Sequence, residues 1–454
     1  MSLAPAAPRR VLPTLNQDGS RRWVRPRPFD GRFVRLRRRV GWGLIALFAG
    51  LPFVRIGGQP ALLLDVPARQ FHFFGATLRA TDGVLLMLLV LAIFVSVFAI
   101  TAWIGRAWCG WGCPQTVYME FLFRPLERWI EGGRNAQLRL DREGADARRL
   151  IKHVVFAALS VLLANLFLSY FVGVERLALW MTTSPLLHPT GFLVVLVTSL
   201  LVYADFGHFR EQMCTVACPY ARLQSVLLDP KSIVVGYDAA RGEPRGRGTG
   251  KGDCVDCGAC VATCPTGIDI REGLQLECIA CAQCVDACDS VMTKFQKPRG
   301  LIRHDAGHAL QGVKGSLRPH RPRLVAYVLL LAALIGGLAF FARGASRPEV
   351  TLLRGLGAPF EITDGRVRNQ VRVKIQNRSD AAAAYRLEVL GVAGSELIAP
   401  ENPLKVAAGE QGTTSVFISV PLASLDRGSC TVTLTLRDEG GFEFRLPYRI
   451  LGPI

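Results

Sequence analysis

Hydrophobic residues fall into two regimes along this chain, and the change comes near residue 343. Before it they gather in five apolar runs; after it they alternate with polar residues at a period of two. Residues 84–104, 154–174 and 324–341 are long enough to cross a bilayer as helices, which takes roughly 17–25 residues. Residues 40–54 and 191–206 are shorter, and are counted as spans because the charge pattern then alternates. In the tail, "VRVKIQN", "YRLEVLG", "TSVFISV", "CTVTLTLRD" and "FEFRLPY" alternate cleanly between breaks of Gly, Pro, Asn and Asp. That spacing predicts about seven strands and an immunoglobulin-like sandwich over residues 343–454.

Charge orients the spans. Residues 1–39 carry 11 arginines, residues 105–152 nine Lys/Arg and residues 207–323 sixteen, against three in 55–83 and one in 175–190. Lys and Arg mark the cytoplasmic side. The N-terminus is therefore expected inside, and five spans put the C-terminal domain outside. Residues 1–39 lack an apolar core and read as a disordered basic arm, not a cleavable signal. The formal charge of +18 does not point to nucleic acid, because the basic residues flank apolar runs instead of forming one stripe. No nucleic-acid partner is expected.

Cysteine usage changes the picture next. Twelve of the 13 cysteines fall between Cys109 and Cys288 at tight spacings, which in a chain this long signals metal binding or redox chemistry. "CVDCGACVATCP" (254–265) is a C-x2-C-x2-C-x3-C-P run, and "CIACAQCVDAC" (278–288) repeats the spacing without the proline. In this ferredoxin pattern the fourth cysteine of each run serves the other cluster. One [4Fe–4S] cluster is thus assigned to Cys254, Cys257, Cys260 and Cys288, and a second to Cys264, Cys278, Cys281 and Cys284. Zinc sites use paired C-x2-C motifs instead. "RGEPRGRGTGKGD" (241–253) lacks the order of a phosphate loop and reads as a flexible tether. Cys430 reads as a small buried hydrophobe.

Two further motifs remain. "CGWGCPQTVYMEFLF" follows the second span and "CTVACPYARLQSVLL" the fourth; both read C-x3-C-P and then an amphipathic stretch. Proline favours the first helical position, so Cys113 and Cys218 are expected at N-caps, where the helix dipole favours thiolate. Cys109 and Cys214 stand four residues earlier. Cys109, Cys113, Cys214 and Cys218 make a candidate catalytic and metal-binding set: copper, structural zinc and a cycling disulfide all suit four thiols. Trp103, Trp108 and Trp111 read as an interfacial belt. His72, Met181 and His188 fall in outer loops and are weak copper candidates.

The assembly of these features resembles the FixG/RdxA/CcoG family of cytochrome c oxidase accessory proteins over nearly the whole chain. The resemblance implies a membrane-bound polyferredoxin that reduces Cu(II) to Cu(I) during assembly of a cbb3-type oxidase. It also implies oxidase subunits or copper-delivery proteins as partners, an electron donor outside the chain, and the bacterial inner membrane as location. Two alternatives stay open: a NapH/NosR-like protein passing electrons from quinol, and a copper-carrying scaffold without turnover. The expected fold is a multidomain membrane protein: a five-helix transmembrane domain, a 2[4Fe–4S] ferredoxin domain and an all-β immunoglobulin-like sandwich. Its segments are 1–39 (arm), 40–206 (helices one to four with the first CxxxCP), 207–253 (second CxxxCP and linker), 254–300 (ferredoxin), 301–323 (basic linker), 324–342 (fifth helix) and 343–454 (sandwich).

Overall fold

The structure is a computed structural model that describes residues 13–16, 18–79, 82–144, 146–228, 231–310, 322–342, 348–355, 357–379 and 381–453. Residues 311–321 of the basic linker and the first part of the N-terminal arm lie outside the described residues. The chain divides into two compact units that meet between residues 335 and 336.

Five long helices follow the apolar runs: α1 (Arg32–Gly50), α2 (Gly83–Ile104), α3 (Ala147–Val172), α4 (Pro189–Tyr203) and α5 (Pro322–Ala342). Among the described residues, four segments are long and apolar enough to cross a membrane: α2, α3, Pro189–Phe209 and α5. The fifth expected span differs. Its helix starts already at Arg32, and arginines at 32, 35, 37, 38 and 39 crowd the first two turns. A 3-10 turn, Leu51–Phe53, extends its apolar half. At one end of α1 the Val34 N–H donates to the Asp286 carboxylate in the ferredoxin region (3.0 Å). At the other, the Tyr170 hydroxyl of α3 donates to the Phe48 carbonyl (2.6 Å), and the two rings stack. The helix therefore runs from the cysteine-rich end of this unit along α3 to the opposite end.

That opposite end carries a three-stranded sheet, Leu62–Asp65, Gln70–Phe73 and Ala76–Arg79. It is tied to the Val174–Thr182 helix by Arg176 and Asp65 (3.4 Å). His72 is buried there against the Thr77 hydroxyl (2.9 Å). Met181 is exposed on the short helix, and His188 precedes the first residue of α4.

The ferredoxin region is closed by an antiparallel ladder between Ile233–Tyr237 and Ile302–Ala306. Its ends bracket both cysteine runs, so the folded region starts upstream of the first run. The Gly/Arg segment expected to be a flexible tether is instead folded back. Gly246 donates to the Cys254 carbonyl (2.8 Å), Gly252 to that of Pro244 (3.0 Å), and Arg241 pairs with Asp253 (2.9 Å). Short-range hydrogen bonds hold it where composition alone predicted freedom.

The C-terminal unit is a two-sheet sandwich. One sheet orders Glu396–Ile398, Gln411–Pro421, Arg366–Gln376 and Glu349–Arg354, with Glu361–Thr363 also on Arg366–Gln376; the other orders Leu404–Val406, Ala383–Leu390, Ser429–Arg437 and Glu443–Leu451. The described residues hold nine strands, not seven, because three-residue edge strands escape an alternation search. Arg366–Gln376 alternates strictly between buried and half-buried positions, so that Val367, Val371, Val373 and Ile375 meet Leu387, Leu434 and Leu436 in the core. Cys430 packs at the rim of that core.

The arm expected to be disordered is anchored from residue 13 onward by buried charge. Arg25 pairs with Glu127 (2.7 Å) and Asp141 (3.0 Å). Glu127 also receives Arg210 (2.8 Å), and Lys152 pairs with Glu131 (2.6 Å). Trp23 lies beneath the Arg21 guanidinium (3.8 Å). Arginines that read as a solvated cytoplasmic arm are thus spent inside the fold. Burial alone would favour a neutral Glu127, but Arg210 and Arg25 hold its carboxyl far below the usual range. Such a group adds stability above its unfolded value near about 4.3 and loses it as pH falls below that value. The expected result is an apparent Tm that drops between about pH 5 and pH 3. Glu127→Gln, which strands Arg25 and Arg210, should destabilise by about 3–5 kcal/mol at neutral pH. Thermal unfolding of the detergent-solubilised protein across pH checks both.

Candidate electron-transfer site: two thiol-lined cavities and a ring of thiols

The two ferredoxin runs fold alike. In the first, Asp256 and Gly258 flank Cys257 with left-handed backbone (φ 52° and 65°); in the second, Ala280 and Ala282 flank Cys281 in the same conformation (φ 53° and 59°). Non-glycine residues pay of order 1–3 kcal/mol for this. Repetition at matching positions marks it as the turn that curls three thiols around one centre. The short helices Ala259–Thr263 and Gln283–Lys294 then carry the chain onward to each fourth cysteine.

The eight cysteines divide between two cavities in the crossed arrangement. Cys254, Cys257, Cys260 and Cys288 line one of about 340 Å³, walled by Met292 and Ile302. Cys264, Cys278, Cys281 and Cys284 line the other, of about 350 Å³, walled by Val235 and Ile268, with Cys260 on the shared side. Among the described residues no three Cys, His, Asp or Glu side chains close on a single ion. Four thiols spread around an apolar space fit a multi-iron cluster and not one cation. Burial raises the thiols of Cys260 and Cys281 to about 11 and of Cys278 and Cys288 to about 12. Positive iron is what such a pocket needs to keep thiolates buried.

The CxxxCP motifs share a backbone device. Cys113 accepts the role of N-cap to Pro114–Tyr118 and Cys218 to Pro219–Leu227, both extended (ψ 125° and 111°). The N–H of Cys113 donates to the Trp108 carbonyl and that of Cys218 to the Met213 carbonyl, each five residues back and each 2.8 Å. Thiols more than one hundred residues apart in sequence come together: Cys109 and Cys214 pack in one apolar cluster with Ile279, Cys281 and Tyr220. Cys113 and Cys218 stand close enough that their charge disfavours the thiolates of Cys109 and Cys214. The expectation of a lowered thiol fails at Cys113. Burial raises Cys113 despite the N–H groups of Thr116 and Gln115, and it raises Cys109, while Cys214 reaches about 12. Desolvation outweighs the helix terminus.

Residues that no motif announced hold this group. The Cys109 thiol donates to Gln224 Oε1 (2.9 Å), and Gln224 donates to Thr101 (3.1 Å) and the Tyr220 hydroxyl (2.5 Å). Arg106 lies 4.0 Å from Cys109 Sγ. Trp111, expected in the interfacial belt, instead donates to the Ala280 carbonyl (3.3 Å); Trp103 and Trp108 are exposed. Arg124 pairs with Glu120 and Glu211 and donates to the Pro265 carbonyl (3.0 Å), which joins the second CxxxCP region to the turn after Cys264. The one sequence signal for Arg106 was a charge closing a long apolar run.

Comparison with known proteins now decides the family. A family model described as the IG-like fold at the C-terminus of FixG matches residues 339–453. RdxA of Cereibacter sphaeroides is 35% identical, over 92% of this chain and 94% of its own length. The chain belongs to the FixG/RdxA family. FixG of Rhizobium meliloti is 34% identical, over 82% of this chain and 80% of its own; RdxB of Cereibacter sphaeroides is 33% identical, over 89% and 91%. A 4Fe-4S dicluster domain model matches residues 209–249 and 245–307, and a 4Fe-4S binding domain model matches residues 86–133. This FixG/RdxA member is a multidomain membrane protein with iron–sulfur ferredoxin domains for electron transfer.

Gly110 gives the contact between the two thiol systems its test. A Cβ there would lie 2.3 Å from the Ile279 carbonyl oxygen and 3.1 Å from Cys281 backbone atoms. Gly110→Ala is expected to push the CxxxCP turn off the 278–284 loop. Misplacements of this size cost reactions up to about 10²-fold. Stopped-flow absorbance of cluster reoxidation should show that slowing with cluster content unchanged.

Proposed function

We propose that this protein is a membrane-bound cupric reductase that supplies Cu(I) during assembly of a cbb3-type cytochrome oxidase. The packing of the Cys109–Cys214 pair directly on residues 279–281 carries the reading: a thiol site for a soft metal abuts a loop rich in cluster ligands. Cys254, Cys257, Cys260 and Cys288 would hold one [4Fe–4S] cluster, and Cys264, Cys278, Cys281 and Cys284 the other. When bound, these supply one-electron carriers.

The chain's own residues do the rest. Cys109, Cys113, Cys214 and Cys218 receive copper, and two soft thiolates suffice for Cu(I), which favours the reduced ion over Cu(II). Gln224 takes the thiol proton of Cys109 in a hydrogen bond and fixes its direction. Ile279 and Tyr220 keep water from the site. Each Cu(II) takes one electron, so a protein carrying one electron on each cluster reduces two. The Lys/Arg-rich loops support a cytoplasmic N-terminus and ferredoxin region, with α1 as a fifth crossing and the sandwich in the periplasm.

The 4Fe-4S binding domain match over residues 86–133 favours a second reading, in which the four CxxxCP thiols hold a further cluster. Iron content separates the two: eight irons per chain support the copper site and about twelve the further cluster. In the first case, anaerobically reduced protein should be reoxidised by Cu(II) one electron per ion, with Cu(I) trapped by a chelator. Cys109→Ala with Cys214→Ala should slow that step by at least about tenfold, or about 1.4 kcal/mol of barrier. An unchanged rate would remove the thiols from the pathway.

A further inference from the structure

Two arginines lie at the seam between the cavities and the CxxxCP thiols, and neither the motifs nor the proposed function uses them. Arg37 of α1 is 1% exposed; its Nε donates to the Gly110 carbonyl (2.8 Å), and both terminal nitrogens have no hydrogen-bond partner. Arg106, just beyond α2, is 4% exposed; its Nη2 faces Cys109 Sγ, and its Nε and Nη1 have none. Neither forms an ion pair among the described residues. A buried guanidinium with orphaned N–H groups costs several kcal/mol unless an anion meets it.

Both point to the same anion. Gly110, which Arg37 holds, presses on the Cys281 backbone. Arg37 interacts electrostatically with both Cys281 and Glu120, but Glu120 is ion-paired to Arg124 and hydrogen-bonded by Gln283 (3.2 Å), which leaves most of the Arg37 charge for the Cys281 side. Arg106 lines an apolar cavity of about 460 Å³ together with Cys278. The other cysteine set differs. Its nearby cation, Arg271, is paired with Asp269 (2.7 Å) and Asp256 (2.5 Å). A four-thiolate iron–sulfur cluster is net anionic and gains a further negative charge on reduction, so unpaired positive charge raises its potential.

We infer that Arg37 and Arg106 are positioning residues that make the Cys264, Cys278, Cys281 and Cys284 cluster the more easily reduced of the two, and so order electron flow. With clusters bound, the Cys254, Cys257, Cys260 and Cys288 set would be the side open to a donor, since Cys257 is the one exposed cysteine of the eight. The two arginines would favour the reduced state at the other set, beside the CxxxCP thiols. Arg106, between Cys278 and Cys109, also holds the receiving thiolate. The inference rests on the ligand assignment above and needs no copper to be tested.

The experiment is a potentiometric titration of the full-length protein in nanodiscs, followed by electron paramagnetic resonance without copper. Two signals at separate potentials are expected. Arg271→Gln should move only the lower one, which identifies it as the Cys254 set. Arg37→Gln with Arg106→Gln should move only the higher one downward, by at least tenfold in the reduced-to-oxidised ratio, or about 59 mV. Arg37→Lys with Arg106→Lys should restore most of the shift, and each single Gln variant is read if the double variant loses iron. Full-intensity signals with the higher potential unmoved would overturn the inference. A single cluster signal in the wild type would overturn the ligand assignment and this inference with it.

Discussion

Everything in the larger unit is arranged around one close backbone approach, Gly110 against the carbonyl of Ile279. At that point a turn anchored to the end of a membrane helix touches the loop that carries three cysteines of the second cavity. Electron transfer demands short through-space gaps, and a side chain at 110 would open this one. The tryptophan next to it, Trp111, bonds to Ala280, and Arg37 holds the carbonyl of Gly110 from behind. Three independent contacts thus fix one interface a few ångströms wide.

Around that interface the protein places buried charge beside its hydrophobic packing. Between the membrane helices and the ferredoxin fold, buried ion pairs lie beside an aromatic cluster of Tyr118, Phe123 and Phe206: Arg124 with Glu120 and Glu211, Arg210 with Glu127, Arg25 with Glu127 and Asp141. Buried pairs are poor sources of net stability, since desolvation offsets attraction, but losing one partner is severe. Such a lattice specifies one arrangement of the loops more sharply than it strengthens any of them.

The sequence made the crossed cysteine arrangement readable because ligand spacing is local and the chemistry admits few alternatives. The N-cap placement of Cys113 and Cys218 was readable for the same reason, since proline restricts its own neighbours. What escaped depends on contacts between distant residues. Nothing near Arg37 says that it will meet Gly110, nor does anything near Gln224 point to Cys109, 115 residues earlier. Thiolate character at Cys113 was misjudged because the helix terminus is visible in sequence and the depth of burial is not. The arm looked free because only Asp18 and Asp30 accompany its arginines in sequence; the carboxylates that bury Arg25 come from residues roughly one hundred positions downstream.

The hydrogen bond from Val34 to Asp286 joins residues 252 positions apart. During synthesis at roughly 5–20 residues per second, on the order of ten to fifty seconds separate the appearance of its two partners. The N-terminal end of the first helix is therefore fastened well after its Phe48 end, which meets Tyr170. Both cysteine cavities exist as complete sets only once residue 288 has emerged, and the N-terminal segment closes over them from that moment. Completion of the two cysteine sets and the fastening of Val34 to Asp286 therefore share one interval of synthesis.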